Sequence, residues 1–271
     1  MPRLHDVLAL QRLTDDVFRS PAMPTLLKHT FGGQLVGQAL AAALRTAPRS
    51  LVPHSLHGYF LQPGLPRRPT ELHVERLHDG RSFATRHVTT RQDERQVFSL
   101  SVSFQRTEPG PDAQETMPSV PDPDDVDAFS PPPPVLARLL REEWPDWELR
   151  MVPRRRTADG TPQARGQYWM RHREPLADVP ALHICGLAYL SDLTLLGTAA
   201  LPHPSPPVMA ASLDHCLWLL RPFRVDEWLL YDQISPSSGN GRGLAQGRFF
   251  DRTGRLVAMV AQEGLLRWPP R

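Results

Sequence analysis

Lysine is almost missing from this chain: among its 31 lysines and arginines only Lys28 is not an arginine, and the formal net charge is only +2. So small an excess gives no electrostatic footprint for nucleic acid, and no such partner is expected. Cysteine is scarce too. Cys185 and Cys216 stand 31 residues apart without a CxxC pairing, so neither a disulfide framework nor a zinc site has support and no metal is expected. The first residues, MPRLHDVLALQRLTDD, contain no apolar h-region with a small-residue cleavage site. Secretion is therefore not expected, and the expected compartment is the cytoplasm. The last four residues, WPPR, are neither a peroxisomal address nor a lipidation box.

What is present is ordinary in bulk and uneven in detail. A length of 271 residues at 40% hydrophobic content supports a sizeable core in one or two domains, and 30 prolines favour turns and edges over long helices. The one long apolar run is His183–Leu201, HICGLAYLSDLTLLGTAAL, which carries a single acid, Asp192, at its centre. Its all-round hydrophobicity predicts a helix buried on every side. The central carboxylate and the prolines at 202, 204, 206 and 207 argue against membrane insertion. A carboxylate in such a place must find hydrogen-bond partners, shift its pKa upward, or both. That is the setting of a general base, and equally of a structural acid bonded to backbone.

Phe31–Leu44, FGGQLVGQALAAAL, predicts a second buried helix whose small residues admit close backbone approach. Gly32 and Gly33 leave its first N–H groups uncovered, where they can polarise a carbonyl or serve close packing alone. Strands are expected at 55–61, 70–77, 82–90 and 96–105, separated by turns such as Pro63-Gly64 and Asp79-Gly80, and a short helix at 4–13. One apolar helix followed by several strands implies an antiparallel sheet wrapped on that helix.

Between Thr107 and Pro134, nine prolines and seven acids replace aliphatic periodicity, which marks a linker. Beyond it come a short helix at 135–143, strands at 147–152 and 166–171 around the basic turn Arg154-Arg155-Arg156, the apolar run, and strands at 211–220, 227–233, 243–250 and 256–267. Helix followed by strands, twice, reads as an internal duplication. The segments divide as 1–106, 107–145 and 146–271. Gly32 to Gln38 and Gly186 to Asp192 have the same spacing, which would set Gln38 where the second half holds its acid.

The sequence resembles the type II acyl-CoA thioesterases over nearly its whole length. The likeness is carried by FGGQLVGQALAAA (31–43), HSLHGYFLQPG (54–64), VERLHDGRSFATR (74–86), SVSFQ (101–105), LAYLSDLTLL (187–196), LDHCLWLLRPF (213–223), EWLLY (227–231) and GRGLAQGRFFDRTGRLVAMVAQEGLLR (241–267), in that order and spacing. The resemblance implies an α+β double hotdog, two antiparallel sheets each wrapped around one central helix. It also implies hydrolysis of acyl-CoA thioesters by a water held between Asp192 of the SDL motif, Ser212 before LDH and Gln262 of QEG. Ser212 stands where bacterial relatives often carry threonine, so the hydroxyl is kept and the methyl that fixes its rotamer is lost. No cofactor is implied beyond CoA as part of the substrate, and a homodimer or higher homo-oligomer is expected.

The residue chemistry agrees with that scheme. Ser212 and Gln262 both donate and accept, and an activated thioester requires neither a metal nor a covalent nucleophile. Gly32 and Gly33, or the region of Gly186, could serve the oxyanion. His57, His54 and His215 invite a base role or simple packing, with His57 kept as a candidate substrate-binding residue. Two other readings stand beside hydrolysis: a hotdog enoyl-CoA hydratase or dehydratase, which needs a histidine such as His183 near the reacting carbons, and a non-catalytic acyl-CoA-binding protein.

Overall fold

The computed structural model describes residues 3–268 apart from 155, 157, 159 and 204. Arg155 of the basic turn, Pro204, and residues 269–271 of the WPPR end lie outside the described residues.

A single helical turn, α1 (Leu4–Val7), and two short strands, β1 (Gln11–Arg12) and β2 (Val17–Arg19), lead into helix α2 (Gly32–Thr46). The helix expected over 4–13 stops after one turn because Gln11 and Arg12 pair with Arg19 and Phe18 instead. Strands β3 (Val52–Phe60), β4 (Glu71–Asp79), β5 (Phe83–Gln92) and β6 (Arg95–Gln105) follow close to their expected places. They pair antiparallel in the order β4-β5-β6-β3. Alternate residues, among them Leu56, Leu72, Val88, Leu100 and Val102, turn inward and cover α2.

The proline-rich stretch contains a 3-10 turn at Val126–Ala128 and a single bridge from Ser130 to Met151, and it is not a free tether. Gln114 donates to the Gly254 carbonyl and accepts from Leu256 N–H, and the Trp169 indole donates to the carbonyl of Pro121, which pins the stretch to the second half. Helix α3 (Pro134–Glu142), β7 (Trp147–Met151), β8 (Arg165–His172), helix α4 (Pro180–Leu190), β9 (Met209–Ser212), β10 (Asp214–Leu219), β11 (Leu229–Gly239), β12 (Arg242–Asp251) and β13 (Leu256–Arg267) complete the chain.

The two expected sheets run as one. Strand β10 pairs antiparallel with β3, Leu217 opposite Leu56, so the order is β1-β2-β4-β5-β6-β3-β10-β13-β12-β11-β8-β7, with β9 beside β13. On the inner face α2 and α4 cross antiparallel through their small residues. A Cβ at Gly37 would stand 3.3 Å from the carbonyl oxygen of Cys185, and one at Gly33 would overlap that of Tyr189.

The long helix expected over 183–201 is corrected. α4 ends at Leu190, and only a 3-10 turn at Leu196–Ala200 resumes helical form. Strand β11 takes the carbonyls that a continuing helix would use: the Tyr231 hydroxyl donates to Ser191 O at 2.5 Å, and Gln233 Nε2 reaches Leu193 O at 3.4 Å. Thr194 adopts φ +69°, a left-handed conformation that no helix accepts. Asp192 therefore lies in the turn after a buried helix, half-buried, and not at a helix centre. The proposed equivalence with Gln38 fails for the same reason. Gln38 sits inside α2, fully buried, and donates to the Val7 carbonyl at 2.8 Å.

Among the described residues, no helix is long and apolar enough to cross a membrane.

Candidate active site

The turn after α4 presents Asp192 to groups from three other elements. Its Oδ2 accepts the backbone N–H of Gly33 at 2.9 Å, and its Oδ1 accepts Gln262 Nε2 at 2.9 Å and lies 3.4 Å from Ser212 Oγ. Gln262 Nε2 also donates to Ser212 Oγ at 2.5 Å. Asp192, Ser212 and Gln262 thus meet in one cluster. The N-terminal end of α2 points at the acid, where the helix dipole favours negative charge.

The turn itself is held on several sides. Tyr231 and Gln233, two apart on β11, both face it, while Asp232 between them turns outward to Arg165, Gln167 and Arg248. Gln233 donates to Thr194 Oγ1 at 2.7 Å and accepts from Thr198 Oγ1 at 2.8 Å. Burial pushes the Tyr231 phenol well above its ordinary range, so it remains a proton donor.

A register change sets the side chains of the neighbouring strands. β9 pairs Ser212 with Gly264, whereas β10 pairs Cys216 with Ala261, so one residue is extra between them. The Leu213 N–H bonds the Glu263 carbonyl, and Asp214 Oδ1 takes the Glu263 N–H at 2.6 Å. The bulge turns Ser212 and His215 to the same inner face, although an odd separation in a regular strand would oppose them. Asp214 is the structural acid that repairs the interrupted ladder.

His215 completes the arrangement. It is fully buried, with Nδ1 3.0 Å from Gln262 Oε1 and Nε2 2.8 Å from Ser191 Oγ. Burial holds its pKa below the usual histidine value, opposed by the nearby Asp192, the Gln262 bond and Asp214.

The other candidate residues lie elsewhere, Gly32 excepted. Gly32 begins α2, and a Cβ there would stand 2.6 Å from Asp192 Oδ2 and 3.0 Å from the Phe60 ring. Gly186 lies inside α4, where helical bonding occupies its N–H, so it is no helix N-terminus. His57 is exposed on the outer face of β3, edge-on to Trp218 at 5.1 Å, and His54 bonds Ser103 there. His183 is the fourth residue of α4, roughly 10 Å of helix before its end, and its Nδ1 accepts the Val225 N–H. Among the described residues no histidine hydrogen-bonds Asp192 directly, and the one nearby, His215, reaches it through Gln262. Ser191 and Tyr231 lie within the LAYLSDLTLL and EWLLY stretches, but nothing in the sequence marked them, or Gln233, as the residues that hold the turn around the acid.

Residues 19–105 match the family described as the acyl-CoA thioesterase N-terminal domain, and residues 138–265 match the family described as acyl-CoA thioesterase. Acyl-coenzyme A thioesterase 8 of Mus musculus is 38% identical over 98% of this chain and 89% of that protein. The crystal structure of an acyl-CoA thioesterase II, TesB2, from Mycobacterium marinum is similar at TM-score 0.86 and 44% identity, covering 98% of this chain and 99% of that one. A hot dog fold protein from Alicyclobacillus acidocaldarius aligns over 100% of both chains at TM-score 0.82 and 22% identity, which bears on the fold alone. With a double hotdog architecture and relatives that span almost its full length, the chain belongs to the type II acyl-CoA thioesterase family.

Proposed function

We propose that this protein hydrolyses acyl-CoA thioesters to a free acid and CoA, with a water activated by Asp192 and positioned by Ser212 and Gln262. Asp192 takes a proton from the water as its oxygen bonds to the thioester carbonyl carbon. The resulting oxyanion collapses with cleavage of the carbon–sulfur bond, and the thiolate of CoA recovers the proton from Asp192. Ser212 and Gln262 orient the water and are not consumed. The Gly33 N–H is engaged by Asp192, so Gly32 at the same helix start is the candidate oxyanion donor.

The observation that carries this reading is the double donation of Gln262 Nε2 to Asp192 Oδ1 and Ser212 Oγ, which gathers the three side chains from separate elements. The test is release of free thiol from a panel of acyl-CoAs of increasing chain length. Asp192→Asn should fold normally and lose about 10²–10⁴-fold in kcat on every substrate that the wild type cleaves. Wild-type turnover by that variant would remove Asp192 from the reaction.

A further inference from the structure

The cluster above assigns no task to His215, the one fully buried histidine among the described residues in contact with it. From the hydrogen-bond chain we infer that His215 is a positioning residue that fixes the side-chain amide of Gln262 in the single orientation that serves Asp192 and Ser212. The inference rests on the hydrolytic reading and names a further member of that same site.

The orientation follows from donor and acceptor counts. An amide oxygen only accepts and an amide nitrogen only donates. The Asp192 carboxylate oxygen 2.9 Å away must face the nitrogen of Gln262, so Oε1 faces His215 Nδ1 at 3.0 Å. That ring nitrogen must then carry a hydrogen. Ser191 Oγ has one hydrogen and two acceptors in reach, Ala188 O at 3.0 Å and His215 Nε2 at 2.8 Å. On a neutral ring protonated at Nδ1 the hydroxyl goes to Nε2, as the lowered pKa of the buried imidazole supports. The bonds run in one direction: Ser191 O–H to His215 Nε2, His215 Nδ1–H to Gln262 Oε1, Gln262 N–H to Asp192 and Ser212.

Without the imidazole, Gln262 Oε1 would be a buried acceptor without a donor, and rotation of the amide would turn an oxygen toward the acid. The place of the donor matters as much as its presence. Asparagine carries an N–H on the atom that corresponds to Nδ1, and glutamine carries its own one bond further out.

The experiment compares His215→Leu, His215→Asn and His215→Gln in steady-state hydrolysis of an acyl-CoA that the wild type cleaves, with thermal unfolding of each variant. We expect kcat of the Leu and Gln variants to fall about 10–100-fold with KM changed little, and the Asn variant to stay within about fivefold of wild type. A long-range proton–nitrogen spectrum of the wild type should show the Nδ1–H tautomer. Wild-type kcat in His215→Leu, equal loss in the Asn and Leu variants, or an Nε2–H tautomer would overturn the proposal. Asp192→Asn assayed in parallel separates the two claims, because an active Asp192→Asn variant removes the underlying reading whatever the His215 series shows.

Discussion

The backbone N–H of Gly33 donates to the carboxylate of Asp192 at 2.9 Å across 159 residues of sequence. The acid of the second half is seated by the helix of the first, where Gly33 leaves no room for a Cβ against the Tyr189 carbonyl.

Alanine at the two glycines should therefore have separable effects. A Cβ at Gly33 would overlap the Tyr189 carbonyl oxygen, a backbone atom of the opposing helix, and stand 2.6 Å from the Phe31 ring. Gly33→Ala should force the helices apart at about 1–3 kcal/mol and lower both melting temperature and kcat. At Gly32 the first obstacle is Asp192 Oδ2, the end of a side chain that can rotate. Gly32→Ala should keep most of its stability and lose about 10–100-fold in kcat. Thermal unfolding and thiol release on both variants check the order, and equal melting temperatures would contradict it.

Tyr231→Phe removes one hydroxyl and preserves the ring stacked on Phe249 at 3.9 Å. The Ser191 carbonyl then loses its donor within a buried turn, at a cost of about 1–2 kcal/mol in urea unfolding. The turn bears Asp192, so kcat should fall severalfold. A loss of stability with no change in turnover would show that this contact does not set the position of the acid.

Histidine burial predicts the acid side of the stability profile. The folded pKa of His215 lies below its ordinary value near 6.5, chiefly through desolvation, and His183 is lowered for the same reason. Their favourable contribution is complete above the unfolded pKa. As pH falls through about 6.5 the unfolded chain binds protons that the folded chain refuses, and stability declines by at most about 1.4 kcal/mol per pH unit for each group until the folded pKa is reached. Urea midpoints at about pH 7.5, 6.5 and 5.5 should fall in that order, and less steeply in His215→Asn. The same slope in wild type and variant would exclude His215 as a source.

The sequence discloses what depends on neighbours in the chain. The alternation in β4–β6, the connection at Asp79-Gly80 and the small-residue run of α2 lie where local pattern places them, whereas the turn expected at Pro63-Gly64 falls at Pro66-Arg67. The resemblance supplied Asp192, Ser212 and Gln262, and the coordinates bring all three within hydrogen-bonding reach. The errors come from distant partners. Hydropathy carried the second helix through to Leu201, whereas Tyr231 and Gln233, 40 residues further on, withdraw its carbonyls and end it at Leu190. The extra residue near Leu213 has no compositional mark, so the common face of Ser212 and His215 could not be read from spacing. Pairing of β3 with β10, which fuses two sheets into one, is likewise a contact between halves.

The bond from Gly33 to Asp192 makes the repeat unequal and its parts inseparable. A chain severed within the 107–133 stretch would yield one fragment with the amide and no acid, and another with the acid and nothing to seat it. Under the proposed mechanism neither fragment alone would turn over substrate, and activity would return only when the two are mixed and the Gly33 amide again meets Asp192.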